Sequence, residues 1–378
     1  MKLKVGLILP GSSIMPLMGK NFKKGFELAF KNSNLSNIDI QPVFVNQGSK
    51  QDVQKASEKL ILYDDADFVC GIISTRVSTL LIDFFKDKDV PVLINNLGEN
   101  IFVKEEIPDY YYLNSAHLWK SQWALGNWAQ KEFGGDLSLC MTIYDAGYHM
   151  HEAFRLGSVA AGGETAHVNV LRIQPGIVNT NSLIEHISDQ KPGHVHAVLC
   201  GKDAHDFWMR FKKAGFLGKI PLTVSPFFFE TIEEDINNGV AAEVCTASGW
   251  ANEEKIMESS FAKSFTEEYE INPCIFSIMG YESGLLLVQA IKNAKTKNEL
   301  KSRLKESKIQ GPRGTVSYNF VDTGNRHEVY LKKYKIGQND NNEKKDVQPL
   351  TGPAFENKAV QNMAIKGVSG WQNPYLCI

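Results

Sequence analysis

Short apolar runs alternate with polar loops and amphipathic stretches from the first residues of the chain. Val5, Leu7 and Leu9 lie in an uncharged apolar run, which is typical of a strand buried on both faces of a parallel sheet. Phe22 and Phe26 follow at helical spacing. The opening therefore predicts a strand, a loop and a helix, and open α/β sheets bind ligands where such loops leave their strands.

The same alternation continues along most of the chain. Further strands are predicted at residues 38–46, 67–73, 90–95, 137–144 and 165–173. Helices are predicted at 51–63, 77–86, 118–133 and 150–160, and the segments 180–189, 194–200, 204–215 and 220–224 continue the pattern. Helical signals dominate 253–306, before short β-like pieces at 314–318 and 328–336. This rhythm of strands and helices predicts doubly wound parallel sheets.

The length of the chain predicts two domains. With 378 residues, it exceeds the size at which a single hydrophobic core stops growing. We expect an α/β protein with two doubly wound, Rossmann-like lobes. The N-terminal lobe is predicted to hold residues 1–114 and 249–326, and the C-terminal lobe residues 115–248 and 327–378. Such a division requires several chain crossings, which form a hinge beside a cleft.

Composition and charge narrow the classes of partner. Hydrophobic residues make up 43% of the chain, enough to fill two cores, and the formal net charge is -2. This balance gives no global field that would attract nucleic acid or an anionic membrane. A small neutral or mildly polar partner is expected. The residues from Met1 to Lys4 run straight into the first strand without a leader sequence, so an exported protein lacking its leader is expected.

The six cysteines do not form a metal-binding pattern. Cys70, Cys140 and Cys200 fall in or near predicted buried strands, where free thiols are expected. One disulfide among the remaining cysteines stays open, since pairing cannot be read from sequence. No Cys-x-x-Cys or His-x-x-x-His pair occurs, so neither a structural zinc nor a cofactor is expected.

An enzyme would need an activated nucleophile, a metal set or an acid–base pair. His149 and His151 could bind a metal if they shared a face, and so could His194 and His196. The first pair is expected to point apart at a helix start, and the second to begin a strand near the surface. No nucleotide-binding or hydrolase glycine motif occurs. Catalysis is therefore not expected.

Four segments together carry a family resemblance, namely residues 5–10 with the glycines at 19 and 25, 69–75, 90–94 and 311–318. In their order and spacing, the chain resembles the type I periplasmic binding proteins, specifically the branched-chain amino-acid (Leu/Ile/Val) group that feeds ABC transporters. The resemblance implies two lobes that close on a small molecule in the cleft and are recognised by a membrane permease. It also implies a monomeric protein in the periplasm or facing the cell exterior. A ligand-sensing regulatory protein of the same fold is the alternative.

The resemblance also implies ligand-binding residues in the first lobe. Ser74 and Thr75 follow a strand and precede a helix, where a hydroxyl can bind a ligand or simply cap the helix. Asn96, Leu97 and Glu99 lie in the next loop, and Glu99 is a poor neighbour for a ligand carboxylate. Two further positions complete this set, Met18 and Phe276.

In the second lobe, the resemblance implies ligand contacts from Trp119, Tyr148, Asp203 and Phe227. Asp203 could equally cap the helix that follows it. Phe227 lies near the position where amino-acid binders of this group place an acidic residue for the ligand ammonium. Because a phenyl ring cannot pair with a cation by charge, we expect an aromatic or other hydrophobic carboxylate, or an amide, as the ligand.

Overall fold

A computed structural model of the chain describes most of its residues. The described ranges are 2–12, 15–35, 37–102, 108, 110–172, 177–237, 243–249, 256–294, 296–317, 328–335, 344–352 and 358–366. The chain divides into two compact units. Unit 1 comprises Met1–Ala116 and Asn252–His327, and unit 2 comprises His117–Ala251 and Glu328–Cys377. The crossing predicted near residue 326 lies outside the described residues.

Helices and strands alternate along most of both units. The first group is β1 (Leu3–Leu9), α1 (Met18–Asn32), β2 (Ile38–Phe44), α2 (Lys50–Glu58), β3 (Phe68–Ile72), α3 (Thr75–Leu80), α4 (Ile82–Lys88), β4 (Val92–Asn96) and β5 (Tyr111–Ser115). The second group is α5 (Leu118–Phe133), β6 (Leu137–Thr142), α6 (Met150–Ala160), β7 (Ala166–Leu171), α7 (Asn181–Gln190), β8 (His194–Val198), α8 (Gly201–Lys213), β9 (Leu222–Val224), α9 (Pro226–Asn237) and β10 (Glu243–Ser248). The last group is α10 (Ser260–Tyr269), α11 (Ile275–Asn293), α12 (Leu300–Glu306), β11 (Lys308–Gly311), β12 (Gly314–Ser317), β13 (Val329–Lys335), β14 (Lys344–Leu350) and α13 (Lys358–Lys366).

Unit 1 contains a five-stranded parallel sheet in the order β2-β1-β3-β4-β5. Its central strands are buried on both faces, as their continuous apolar runs predict. Ile8, Val69 and Ile94 pack with Leu60 and Phe85 on one face. Because all five strands run in the same direction, their carboxyl ends meet at a single edge of the sheet.

Unit 2 contains a seven-stranded mixed sheet in the order β14-β13-β10-β9-β8-β6-β7. Strands β6 to β10 are parallel, whereas β13 pairs antiparallel with β10 and with β14. The β-like piece predicted at 328–336 thus forms β13, which pairs antiparallel with β10, the last of the parallel strands. Phe207, Trp208 and Phe211 of α8 pack with Phe228 of α9 in the core on one face.

Each unit contains a pair of helices whose backbones approach closely at glycine. In unit 1, a Cβ atom built on Gly25 of α1 would lie 2.0 Å from the carbonyl oxygen of Ser277 in α11. In unit 2, a Cβ atom on Gly157 of α6 would lie 2.0 Å from the carbonyl oxygen of Trp123 in α5. Real Cβ atoms do not tolerate such distances, so no side chain fits at either position.

Three local predictions are wrong. The helix predicted at 77–86 is two helices, α3 and α4, which break at Leu81. His194 and His196 are fully buried rather than near the surface; the Nδ1 of His196 lies 3.0 Å from Thr223 Oγ1, and its ring stacks on Phe154. Cys200 is disulfide-bonded, whereas Cys70 and Cys140 are free and buried as predicted. The local sequence carries no signal that shows whether a histidine is buried or exposed, or whether a cysteine is free or disulfide-bonded. This applies to His194, His196 and Cys200.

Candidate functional site

Ser74 and Thr75 lie directly after β3, at the carboxyl edge of the unit 1 sheet. Ser74 is the N-cap of α3, and its Oγ accepts a hydrogen bond from the Val77 N–H at 3.2 Å. Thr75 Oγ1 accepts from Asn96 Nδ2 at 3.3 Å and donates to the Asn100 carbonyl oxygen at 3.4 Å. The capping function of Ser74 is therefore present in the structure, and Thr75 connects two neighbouring strand ends.

The carboxylate of Glu99 lies at the same edge. Its Oε1 accepts a hydrogen bond from the Thr75 backbone N–H at 3.1 Å, although the two residues are 24 positions apart. Glu99 is only 2% exposed. The chain's own carboxylate thus takes the backbone donor that would otherwise be available to a ligand carboxylate.

Burial raises the pKa of Glu99 to about 6, and hydrogen bonds from Thr75 and from the N–H groups of Gly98 and Glu99 only partly oppose this shift. Glu99 has no cationic partner among the residues that the structure describes. A second polar atom nearby is also unsatisfied, because Asn100 Oδ1 is buried and accepts no hydrogen bond. We call Ser74, Thr75, Asn96, Glu99 and Asn100 the acceptor cluster.

A second buried carboxylate in unit 1 is fully paired. Glu282 of α11 is 0% exposed and accepts from Arg313 Nε at 3.0 Å, while the Arg313 side chain is 1% exposed. Arg313 also donates to Asn114 Oδ1 at 2.6 Å and to the Ser115 carbonyl oxygen at 2.9 Å. This ion pair ties α11 and the β11–β12 hairpin to the end of β5, next to the crossing into unit 2.

The remaining predicted residues of unit 1 are buried, but no described hydrogen bond joins them to the acceptor cluster. Met18 begins α1 after β1, Leu97 follows β4, and Phe276 lies in the first turn of α11. Met18 and Leu97 therefore lie at the carboxyl ends of parallel strands. Phe276 does not follow a strand, and this residue is 5% exposed.

In unit 2, the predicted residues also lie near strand ends. Tyr148 follows β6, Asp203 lies in the first turn of α8 after β8, and Phe227 lies in the first turn of α9 after β9. Trp119 is in the first turn of α5. Trp119, Tyr148 and Phe227 are buried. The structure therefore places three of these four positions at the carboxyl ends of the parallel strands of this sheet.

Sequence reasoning missed Asp145, which lies in the loop after β6. Its Oδ2 accepts a hydrogen bond from Thr142 Oγ1 at 2.7 Å. Burial raises the pKa of Asp145 to about 7, and the nearby Asp203 carboxylate adds to the rise. The pKa of Asp203 is itself raised by burial and by Asp206. Asp145 belongs to the tetrapeptide Tyr-Asp-Ala-Gly that precedes Tyr148 in the sequence, but no feature of this tetrapeptide indicates that the aspartate is buried.

A cavity on the surface of unit 2 lies apart from the predicted ligand-binding residues. This cavity of about 550 Å³ is lined by Val178, Lys202, His205, Met209 and Thr231, and its Asp206 is paired with Arg210. None of the predicted ligand-binding residues lines it. Among the described residues, no group of three or more His, Cys, Asp or Glu side chains is arranged to hold a metal ion.

Comparison with known proteins identifies the class to which this fold belongs. A sequence model of the periplasmic binding protein family matches residues 2–341, and the chain belongs to this family. The family is a solute-binding class. The predicted two-lobe α/β fold and the predicted resemblance to Leu/Ile/Val-binding proteins of ABC transporters are thereby confirmed.

Individual relatives are distant. The chain is 22% identical over 200 residues to Leu/Ile/Val-binding protein homolog 6 of Brucella abortus (strain 2308), a match that spans 52% of this chain and 50% of that protein. A solute-binding protein of an ABC transporter from R. palustris, solved in complex with benzoate, has a TM-score of 0.73 at 22% identity and covers 96% of this chain and 99% of its own. A branched-chain amino acid transporter substrate-binding protein from Streptococcus pneumoniae, in complex with isoleucine, has a TM-score of 0.70 at 13% identity. Its match covers 93% of this chain and 100% of its own. At such identities these structures show the fold alone.

Among the described helices, we find none whose length and apolar content would let it cross a membrane.

Proposed function

We propose that this chain is an extracytoplasmic solute receptor that binds a small aromatic or hydrophobic molecule and delivers it to the membrane permease of an ABC transporter. One observation carries the proposal. Met18, Thr75, Asn96, Tyr148, and Phe227 each lie where a parallel strand ends, in the two sheets of a protein that belongs to a solute-binding family. Open α/β sheets bind their ligands at such ends.

The chemistry of these edges supports an apolar solute with a single polar end. Trp119, Tyr148 and Phe227 supply aromatic surface, and a tyrosine can stack while its hydroxyl reaches a polar group. Solved structures of the same fold include a complex with benzoate, which is a small molecule of this kind, and one with isoleucine, which carries a second polar group. Phe227 cannot pair with an ammonium group by charge, so an aromatic or aliphatic acid or amide suits the unit 2 edge better than a free amino acid.

A thermal-shift screen tests the proposal. Refolded, ligand-stripped protein is heated with amino acids, aromatic acids, amides, short peptides, sugars and nucleotides. A ligand at about 100 times its Kd adds about 2.7 kcal/mol to the free energy of unfolding, which gives a clear shift. A hit among small acids or amides supports the proposal, and a flat screen argues against it.

Two substitutions then test the unit 2 residues. Tyr148→Ala or Phe227→Ala is expected to weaken binding of the hit at least tenfold, or about 1.4 kcal/mol. Tyr63→Ala is the control, because this tyrosine is exposed and lies in unit 1 outside the predicted site. Unchanged affinity in both Tyr148→Ala and Phe227→Ala would remove these residues from the site.

A further inference from the structure

The polar groups at the unit 1 edge are unbalanced between donors and acceptors. The Thr75 N–H donates to Glu99, and the Asn96 side-chain amide donates to Thr75 Oγ1. The Thr75 hydroxyl donates to the Asn100 carbonyl oxygen. Each of these three donors is in use, whereas Asn100 Oδ1 accepts nothing although the residue is only 9% exposed. The cluster therefore has a spare buried acceptor beside a buried carboxylate.

A ligand carboxylate does not suit this environment. It would need donors, and the Thr75 N–H is already used by Glu99. It would also bring a second negative charge toward a buried carboxyl group that has no cationic partner among the described residues. Two carboxylates in one poorly solvated place disfavour each other's charged forms. An N–H group would instead donate to Asn100 Oδ1 and offset the buried charge of Glu99.

The unit 2 edge shows the same excess of acceptors. Asp145 is buried after β6, its carboxylate has no cationic partner among the described residues, and Asp203 lies close enough to raise its pKa further. His149, the N-cap of the neighbouring helix α6, has its pKa lowered to about 4 by burial and is neutral near pH 7. Among the described residues, neither Glu99 nor Asp145 therefore has a cation beside it that could pair with a ligand carboxylate.

We propose that the polar end of the solute is an N–H donor, an amide or an amine, which binds Glu99 and Asn100, and that carboxylates without such a donor are rejected. This inference rests on the proposed function, and it replaces the acids named there by solutes that carry an N–H donor, namely amides and amines. Glu99 and Asn100 become the residues that determine specificity.

Two matched series of compounds test the proposal by isothermal titration with the wild-type protein. The phenyl series is benzoate, benzamide and benzylamine, and the aliphatic series is isovalerate, isovaleramide and isoamylamine. In at least one series, the amide or the amine is expected to bind at least tenfold tighter than the carboxylate. A tighter carboxylate in the series that binds overturns the proposal, while the proposed function stands.

Substitution of Glu99 gives a second, independent readout. Glu99→Gln keeps the shape of the side chain and can still accept from Thr75, but it removes the charge. It is expected to weaken amine binding at least tenfold and to narrow the preference over the carboxylate. Asn100→Ala is a second variant, expected to weaken both amide and amine, and Glu306→Gln, at an exposed ion pair, is the control. Equal affinities in wild type and both variants would falsify the assignment.

If no compound of either series binds, the broader thermal-shift screen decides. Hits confined to molecules that carry a carboxylate and no N–H donor overturn this inference and leave the solute receptor intact. A screen without any hit overturns the proposed function and this inference with it.

Discussion

Among the described residues of unit 1, two carboxyl groups are buried, and they differ in whether a cation lies beside them. Glu282 has Arg313 within hydrogen-bond distance, and the arginine's other donors are used by Asn114 and Ser115. Glu99 has hydrogen bonds from N–H groups but no cation among the described residues. Removing a charge from water costs free energy; a hydrogen-bonded ion pair recovers part of that cost from its partner, whereas an unpaired buried charge does not. Glu282 therefore has a structural partner in Arg313, whereas Glu99 has none among the described residues, which is why we assign Glu99 to the solute in our proposal.

The paired carboxylate is expected to give the largest effect. Arg313→Met leaves Glu282 buried without its cation, and loss of one partner of a buried ion pair costs about 3–5 kcal/mol. Arg303→Met is the matched control, because Arg303 and Glu306 form an exposed pair, for which the loss is about 0–1 kcal/mol. Urea denaturation of both variants measures the difference. Similar small losses in the two would show that the Glu282–Arg313 pair contributes no more than a surface pair.

The fold was more predictable from sequence than the site, and these carboxylates show why. The strands predicted at 67–73 and 90–95 are β3 (Phe68–Ile72) and β4 (Val92–Asn96), because a continuous apolar run reflects burial directly. The helix predicted at 118–133 is α5. The contact between Thr75 and Glu99 joins two loops that only the parallel pairing of β3 and β4 brings together. The sequence alone indicates that Glu99 is a poor neighbour for a ligand carboxylate. It does not predict that the backbone N–H of Thr75 donates a hydrogen bond to Glu99.

The buried histidines and the disulfide were mispredicted for a related reason. His194 and Cys200 flank a strand whose apolar residues alone predict burial, and their own residue types are compatible with either a surface or an interior position. Which alternative holds depends on the side chains that other elements bring, such as Phe154 of α6 against His196. Tertiary contacts of this kind have no periodic signal in the sequence.

The unpaired carboxylate is expected to give an intermediate effect that depends on pH. The pKa of Glu99 in the folded protein is about 6, above its ordinary value of 4.5, so the folded state binds this proton more tightly than the unfolded state. Its stabilising contribution is present below pH 4.5 and is lost as the pH rises to about 6. The loss amounts to about 2 kcal/mol, from about 1.4 kcal/mol for each pKa unit.

Glu99→Gln removes this dependence. The stability of the variant relative to wild type is expected to increase by about 2 kcal/mol between pH 4.5 and pH 8, because only the wild type must bury a charge at the higher pH. Urea denaturation at several pH values measures it, and Glu306→Gln, whose carboxylate is exposed, provides the baseline. A relative stability that stays constant across this range would show that Glu99 is solvated in the folded protein.

The smallest expected effect separates capping from ligand binding at the unit 1 edge. Ser74 caps α3, and Ser49 caps α2 by the same contact, a hydrogen bond to its Oγ from a backbone N–H three residues later at 3.2 Å. Ser74→Ala and Ser49→Ala are each expected to cost about 1 kcal/mol of stability. Only Ser74→Ala is expected also to weaken ligand binding, about fivefold, because its hydroxyl hydrogen remains free to reach a solute beside Thr75. Calorimetric titration of both variants measures this. Equal affinities would mean that Ser74 serves the helix alone, and the ligand contact would then rest on Glu99 and Asn100.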